Sequence, residues 1–193
     1  RAAISGTVTT SRFTSKLNTQ MIHVLLATGY EEIEAVTTID ILRRCGLPVQ
    51  TCSVTGTRLI HGAHNLPVMA DALFRKSTIE EGDCIVLPGG MPGTNNLWAS
   101  ESLKKALVAL NEKGILIAAI CAAPMILGKL GILNGKNATC YPGFEEHLLG
   151  ASVSSNLVVE DGNIITGRGP GAAAEFAFAI ARRYLSAHDV EQV

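Results

Sequence analysis

Alternating apolar and amphipathic stretches predict an α/β fold, a three-layer sandwich with a mostly parallel sheet between layers of helices. Three observations carry this expectation. Residues 22–27, 84–87 and 115–120 are short and almost continuously apolar, the signature of strands buried on both faces. Residues 31–46 and 101–113 repeat apolar positions at helical spacing. A chain of 193 residues with 47% hydrophobic content fits one α/β domain with a sizeable core.

In order, 22–27 is the first strand and Thr28-Gly29-Tyr30 a loop. Glu31-Glu32 opens a helix with Ile33, Val36, Ile39 and Leu42 at helical spacing; Arg43-Arg44 complement its dipole and Gly46 ends it. Residues 49–54 supply a second strand, and 55–71, with Gly56, Gly62 and Pro67, a hairpin or edge excursion. The strand at 84–87 ends at Pro88-Gly89-Gly90. A helix over 101–113 carries Leu103, Ala106, Leu107 and Leu110 on one face. The strand at 115–120 runs into Cys121 and a helix to about 130. A short strand is expected at 138–140, a hairpin over 157–166 turning at Asp161-Gly162, and a last helix over 172–185.

Composition excludes several classes. Net charge is −1 with no basic block, so nothing points to nucleic acid or an anionic membrane. No apolar run approaches the ~20 residues needed to span a bilayer. Five cysteines without C-x-x-C spacing suggest reduced thiols and a cytoplasmic setting. Residues 1–20 are rich in Ser and Thr and lack acidic residues. They read as a leader, either appended or transit-like, which in the second case makes the setting organellar; 21–193 is the single domain.

Sites in open α/β sheets form at the carboxyl ends of strands. Cys121 stands at such an end, followed by Ala122-Ala123-Pro124, where a turn into a helix stabilises a thiolate; the alternative is a buried structural cysteine. Gly89-Gly90 gives backbone N–H groups close access to a reacting oxygen, or is simply a sharp turn. Glu34 is either an exposed first-turn residue or, buried beside Cys121, a carboxyl kept neutral by desolvation. His61 and His64 lack a third ligand, so no metal is expected, and neither a phosphate loop nor a dinucleotide fingerprint is present; no cofactor is expected. Cys45, Cys52, Cys84 and Cys140 read as packed thiols.

Taken together, Glu31-Glu32-Ile33-Glu34-Ala35-Val36 with Asp40 and Arg43-Arg44, Leu87-Pro88-Gly89-Gly90, Ala118 to Pro124, and Arg168-Gly169-Pro170-Gly171 resemble the DJ-1/ThiJ/PfpI superfamily, in its DJ-1-like (ThiJ, YajL) branch. The resemblance implies a flavodoxin-like sandwich and a homodimer. It implies an oxidation-sensitive nucleophile at Cys121 in a strained elbow, a protonated Glu34 beside it, and oxyanion donors at Gly89, Gly90 and Ala122. Tyr141, Arg44 and Arg168 become substrate-pocket candidates. The implied activities are conversion of 2-oxoaldehydes to hydroxy acids (glyoxalase III-like) or removal of early glyoxal adducts from proteins (deglycase-like). The alternative is a redox-sensing or chaperone-like protein with little turnover; older names tie such proteins to thiazole monophosphate biosynthesis.

Two departures matter. Ala122 stands where the protease-like branch has His, which disfavours peptidase chemistry. Tyr141 stands where many DJ-1-like members have His; a phenol, ionising far above neutrality, suits hydrogen bonding rather than proton shuttling, so Glu34 is left to carry proton transfers. Cys140 is either a resolving thiol or packed. A glutamine amidotransferase-like triad is disfavoured, since no His-x-Glu follows.

Overall fold

The computed structural model describes residues 20–193. The leader expected at 1–20 lies, but for Gln20, outside the described residues. The strands are β1 (Ile22–Leu26), β2 (Val49–Ser53), β3 (Leu59–His61), β4 (Pro67–Met69), β5 (Ala72–Leu73), β6 (Cys84–Leu87), β7 (Leu116–Ile120), β8 (Asn137–Ala138), β9 (Ser152–Val153), β10 (Val158–Asp161) and β11 (Ile164–Gly167). The helices are α1 (Glu32–Arg44), α2 (Gly93–Trp98), α3 (Glu101–Glu112), α4 (Pro124–Lys129), α5 (Ala173–Ala181) and α6 (Ala187–Glu191).

Seven strands form the central sheet in the order β10-β11-β7-β6-β1-β2-β5, parallel throughout except for the edge pair β10–β11. Its middle strands β1, β6 and β7 are fully buried along their length, as apolar strands covered on both faces must be. Alternate residues of each strand feed two cores. Leu25, Ile85, Leu87, Ile117 and Ala119 pack with the buried leucines of α3 and with Ile126 and Leu127 of α4. Val24, Leu26, Val86, Ala118 and Ile120 pack with α1 and with Phe176 and Ile180 of α5.

Helix α3 follows the sequence closely. The Ser100 hydroxyl accepts from the Leu103 N–H at 3.3 Å, and Leu103, Ala106, Leu107 and Leu110 are buried as their spacing predicts. Helix α1 does not. Its buried residues are Glu34, Ala35, Thr38 and Leu42, whereas Ile33 and Val36 are 55% and 42% exposed. The helix is turned so that a carboxyl and a hydroxyl face inward and two aliphatic side chains face out.

Other departures are short elements. Residues 59–69 form a separate antiparallel ribbon, β3–β4, and β5 then adds a parallel edge to β2. Asn137–Ala138 pairs in parallel with Ser152–Val153, a ribbon absent from the sequence reading. Helix α2 and the terminal α6 carry no sequence expectation, and α5 stops at Ala181 instead of 185. Helix α2 is held by a tertiary contact at its start: Gly93 N–H donates to Gly29 O at 3.0 Å, and the two sit so close that a methyl on either would strike the other's backbone.

At the amino ends of the strands, Asp83 is 2% exposed and anchors three groups. It accepts from the N–H groups of Met21 and Glu80 at 2.7 and 2.8 Å, and meets His23 Nε2 at 3.1 Å. Removing a partner from such a buried set leaves the others unsatisfied. Asp83→Ala is expected to lower unfolding free energy by about 3 kcal/mol, read as a shift of the urea midpoint. A loss below about 0.5 kcal/mol would contradict this.

Candidate active site

Three chain segments meet at the carboxyl ends of β1, β6 and β7: the start of α1, the Gly89-Gly90 turn, and Cys121. Cys121 has φ +66°, a left-handed conformation that costs a non-glycine residue about 1–3 kcal/mol. The surroundings fix it there. Its N–H donates to Gly167 O at 2.9 Å, its carbonyl accepts from Tyr141 N–H at 2.9 Å, and Ala123 N–H closes the turn on Ile120 O at 3.1 Å. The side chain therefore leaves the sheet at an elbow and stays 9% exposed.

Gly89 determines what stands next to it. A methyl there would lie 2.7 Å from both Cys121 Cβ and Glu34 Oε2, so only glycine lets the two approach. Its N–H donates to Glu34 Oε2 at 2.8 Å, and its carbonyl accepts from Glu31 N–H at 2.9 Å. One residue thus fixes both the start of α1 and the carboxyl it delivers. Glu34 is completely buried, and its Oε1 has no nitrogen or oxygen partner. Of the two readings for Glu34, the buried one holds.

Burial pushes Glu34 up to about 7, opposed by hydrogen bonds from Cys121 and from the Gly89 N–H and aided by the charge of Glu31. Burial likewise pushes the Cys121 thiol up, followed by the charge and hydrogen bond of Glu34; the N–H groups of Ala122 and Gly90 pull it down. Burial raises both acids and the charge of Glu34 raises the thiol further, so above about 7 the pair holds a single proton between them. With the proton on Glu34, the sulfur is a thiolate facing two amide donors. The amides needed to hold a thiolate are those an oxyanion formed on the same sulfur's adduct would use.

A cavity of about 280 Å³ opens beside the elbow, lined by Tyr141, Pro142, Leu157 and residues 168–172. The family model described as DJ-1/PfpI matches residues 20–183. The chain belongs to the DJ-1/PfpI family. It is 37% identical over 172 residues to Protein dj-1beta of Drosophila melanogaster, covering 88% of this chain and 92% of that one. The crystal structure of Drosophila melanogaster DJ-1beta superposes with TM-score 0.82 at 35% identity, over 90% of this chain and 94% of the other. A protein of Pyrococcus abyssi named a deglycase is 31% identical over 77% of this chain and 89% of its own length. This chain shares with Drosophila DJ-1beta the flavodoxin-like, three-layer α/β arrangement expected of DJ-1 proteins.

Within this DJ-1 family chain, the structure brings together Cys121, Glu34, Gly89, Gly90 and Ala122, with Tyr141 and Arg168 in the adjoining cavity. Two expectations need correction. Gly89 is not a free oxyanion donor, because its N–H is already given to Glu34; Gly90 and Ala122 remain. Arg44 is not in the pocket of this chain. It sits in the last turn of α1, roughly 15 Å along the axis from Glu34, and pairs with Asp40 at 2.7 Å on the surface.

Cys140 is buried in the α3–α4 core, whereas Cys121 belongs to the α1–α5 core, so the sheet separates their packing; burial raises the Cys140 thiol to about 11. This favours the packed reading over a resolving thiol. Cys52, in contact with His23 at 3.9 Å, is raised to about 11 by burial as well. The sequence reading also missed partners for His64. Its ring meets Glu32 at 2.8 Å and Glu31 at 3.8 Å, and the three side chains' ligand atoms lie within 4.8 Å of one another. The sequence signal was there in Glu31-Glu32, but only the hairpin's fold against α1 joins it to His64. The anchors of the elbow, Gly167 O and Tyr141 N–H, are backbone groups with no sequence signal.

The shared proton has a sign that can be measured. Glu34 is raised from its ordinary 4.5 to about 7, so folding takes up a proton between those values. Its contribution is present below about pH 4.5 and is lost as pH rises through about 7, a loss on the order of 3 kcal/mol. Glu34→Gln is expected to flatten the stability–pH profile across that window. By removing the carboxylate, it should also shift the pH dependence of Cys121 alkylation by iodoacetamide to lower pH. An unchanged profile, or a shift to higher pH, contradicts the shared-proton account.

Proposed function

We propose that this DJ-1 family protein is a cysteine-dependent enzyme acting on 2-oxoaldehydes such as methylglyoxal, or on the early adducts they form with proteins. The observation that carries this reading is a sulfur held at a left-handed elbow, between two amide donors and a buried carboxyl with its pKa near 7. The name of the Pyrococcus abyssi relative supports the same chemistry.

In the proposed cycle the Cys121 thiolate adds to the aldehyde carbon, forming an S–C bond and an alkoxide near the Gly90 and Ala122 amides. Glu34 gives its proton to that oxygen. As a carboxylate it then removes the proton from C1, giving an enediolate, and returns it to C2 while the proton on the C1 oxygen passes to the C2 oxygen. C1 is oxidised and C2 reduced within one molecule, so no outside electron acceptor enters the balance. Water cleaves the resulting thioester, releasing the hydroxy acid and the thiol. Tyr141, at the cavity mouth, is suited to hold a substrate oxygen but not to move protons.

Incubation of the purified protein with methylglyoxal is expected to form lactate, with Cys121→Ser and Glu34→Gln each lowering kcat/KM at least about 100-fold. Lactate formation that survives either change would exclude the scheme. A second reading rests on Glu34 Oε1, buried without a nitrogen or oxygen partner. An oxygen added to the Cys121 sulfur by peroxide would give that atom one, as a redox sensor requires. Negligible lactate together with selective oxidation of Cys121, read by mass spectrometry, would favour that reading.

We also infer a homodimer built on the outward face of α1. Ile33 and Val36 are exposed, and so are Leu59, Leu66 and Met69 of the β3–β4 ribbon, at 46%, 48% and 60% exposure. The His64–Glu32 contact and the Ala63 N–H to Tyr30 O bond hold the ribbon against the helix. Apolar side chains on two adjoining elements favour burial against a second copy. Sedimentation should give twice the chain mass, falling to one chain in Ile33→Glu; a monomeric parent protein would refute this.

A further inference from the structure

The cavity beside Cys121 has a lining that the chemistry above does not use. At about 280 Å³ it is close to the lower end of ordinary ligand pockets, about 300–1,000 Å³. That is far more room than methylglyoxal alone fills. Its two walls are tied to the nucleophile's own peptide groups. Tyr141, on one side, donates its N–H to Cys121 O, and the strand leading into Arg168 accepts the Cys121 N–H at Gly167 O. These two backbone bonds place the cavity walls directly beside the peptide of the nucleophile.

The lining is mostly apolar, with the Tyr141 hydroxyl and one charged group. Tyr141, Pro142, Leu157, Pro170 and Ala172 give hydrocarbon, and Arg168 is the sole charged side chain among the lining residues. The Arg168 backbone N–H binds Leu157 O at 2.9 Å, and its Nη1 donates to Ser155 O at 2.7 Å. A guanidinium has five N–H donors, so a single carbonyl leaves most of them unused by that contact. Glu145, the acidic residue on the Tyr141 side, accepts from Gly143 N–H at 2.7 Å and does not line the cavity. Gly169 keeps the walls close, since a methyl there would stand 3.0 Å from the Tyr141 ring.

Resting on the enzymatic reading, we propose that Arg168 and this cavity form a subsite for an anionic tail, so that the preferred substrates are 2-oxoaldehydes carrying a carboxylate on a short aliphatic spacer. An apolar slot with one fixed cation selects this class. The spacer buries hydrocarbon against Leu157 and Pro142, and the planar guanidinium pairs with the carboxylate by charge-assisted hydrogen bonds. A neutral substrate gains only the first of these. Arg168 is thus a specificity-determining residue, separate from the groups that move protons.

The test uses two chloromethyl ketones of one skeleton, one ending in a propionate tail and the other in the corresponding carboxamide. Each alkylates Cys121 by forming an S–C bond and expelling chloride, and intact mass gives the rates. The anionic reagent is expected to react about tenfold faster. The preference should fall to near one in Arg168→Met, persist in part in Arg168→Lys, and shrink with added salt. Equal rates in the parent protein, or a preference untouched by Arg168→Met, overturn the subsite. Turnover of the matching 2-oxoaldehydes to hydroxy acids separates the two ideas. A preference in alkylation without turnover of either aldehyde keeps the subsite and removes the enzyme. Turnover of both aldehydes with no preference does the reverse. Failure of both reagents to reach Cys121 removes both.

Discussion

A missing side chain governs this site. Gly89 is where the carboxyl of Glu34 and the sulfur of Cys121 converge, and no larger residue leaves room for both. Its peptide N–H orients the carboxyl and its carbonyl orients the start of α1 through Glu31. The strain at Cys121 has a similar logic. A left-handed cysteine persists because β11 and the segment before Pro142 each bind one of its peptide groups. Those bonds belong to the sheet and its neighbours, so relaxing the elbow would break structure well beyond it.

Placing a carboxyl at the bottom of this crevice dictates how α1 sits. A helix that turned Ile33 and Val36 inward would carry Glu34 outward, since neighbouring positions lie about 100° apart around the axis. The observed helix does the opposite: Glu34 and Thr38 are buried one turn apart, and the aliphatic pair is exposed. The cost of burying a carboxyl is met by protonation instead of by a cation, since Glu34 is raised rather than lowered. The outward aliphatic face follows from the same rotation, so burying Glu34 on one side of the helix exposes Ile33 and Val36 on the other.

What the sequence disclosed depended on how local each signal was. β1, β6 and β7 were legible because continuous apolar runs bounded by Gly or Pro have few other uses, and α3 because its cap and apolar spacing agree. Periodicity misled at α1, where the apolar spacing of Ile33 and Val36 was real but faced away from the core. The β8–β9 ribbon, α2 and α6, two to six residues long, are too short for a pattern to outweigh chance. At the site, Cys121 and Glu34 could be singled out by residue type and place along the chain. That Gly89 serves Glu34 and not an oxyanion, or that Arg44 points to solvent with Asp40, depends on distances no spacing encodes.

The pair's reactivity follows from which atom holds the single proton. Were Glu34 charged, its field would keep the sulfur protonated, and a buried thiol has little nucleophilicity. Were both groups neutral, the two amides beside the sulfur would face an uncharged atom and contribute little. The arrangement we propose for turnover is a thiolate under the Ala122 and Gly90 amides, which lower the thiol against its burial, with the proton on the carboxyl. Exposure of the sulfur is small, so water does little to level the difference. In that proposed arrangement, addition of an electrophile moves negative charge from sulfur to oxygen within reach of the same amides, with the protonating acid already loaded.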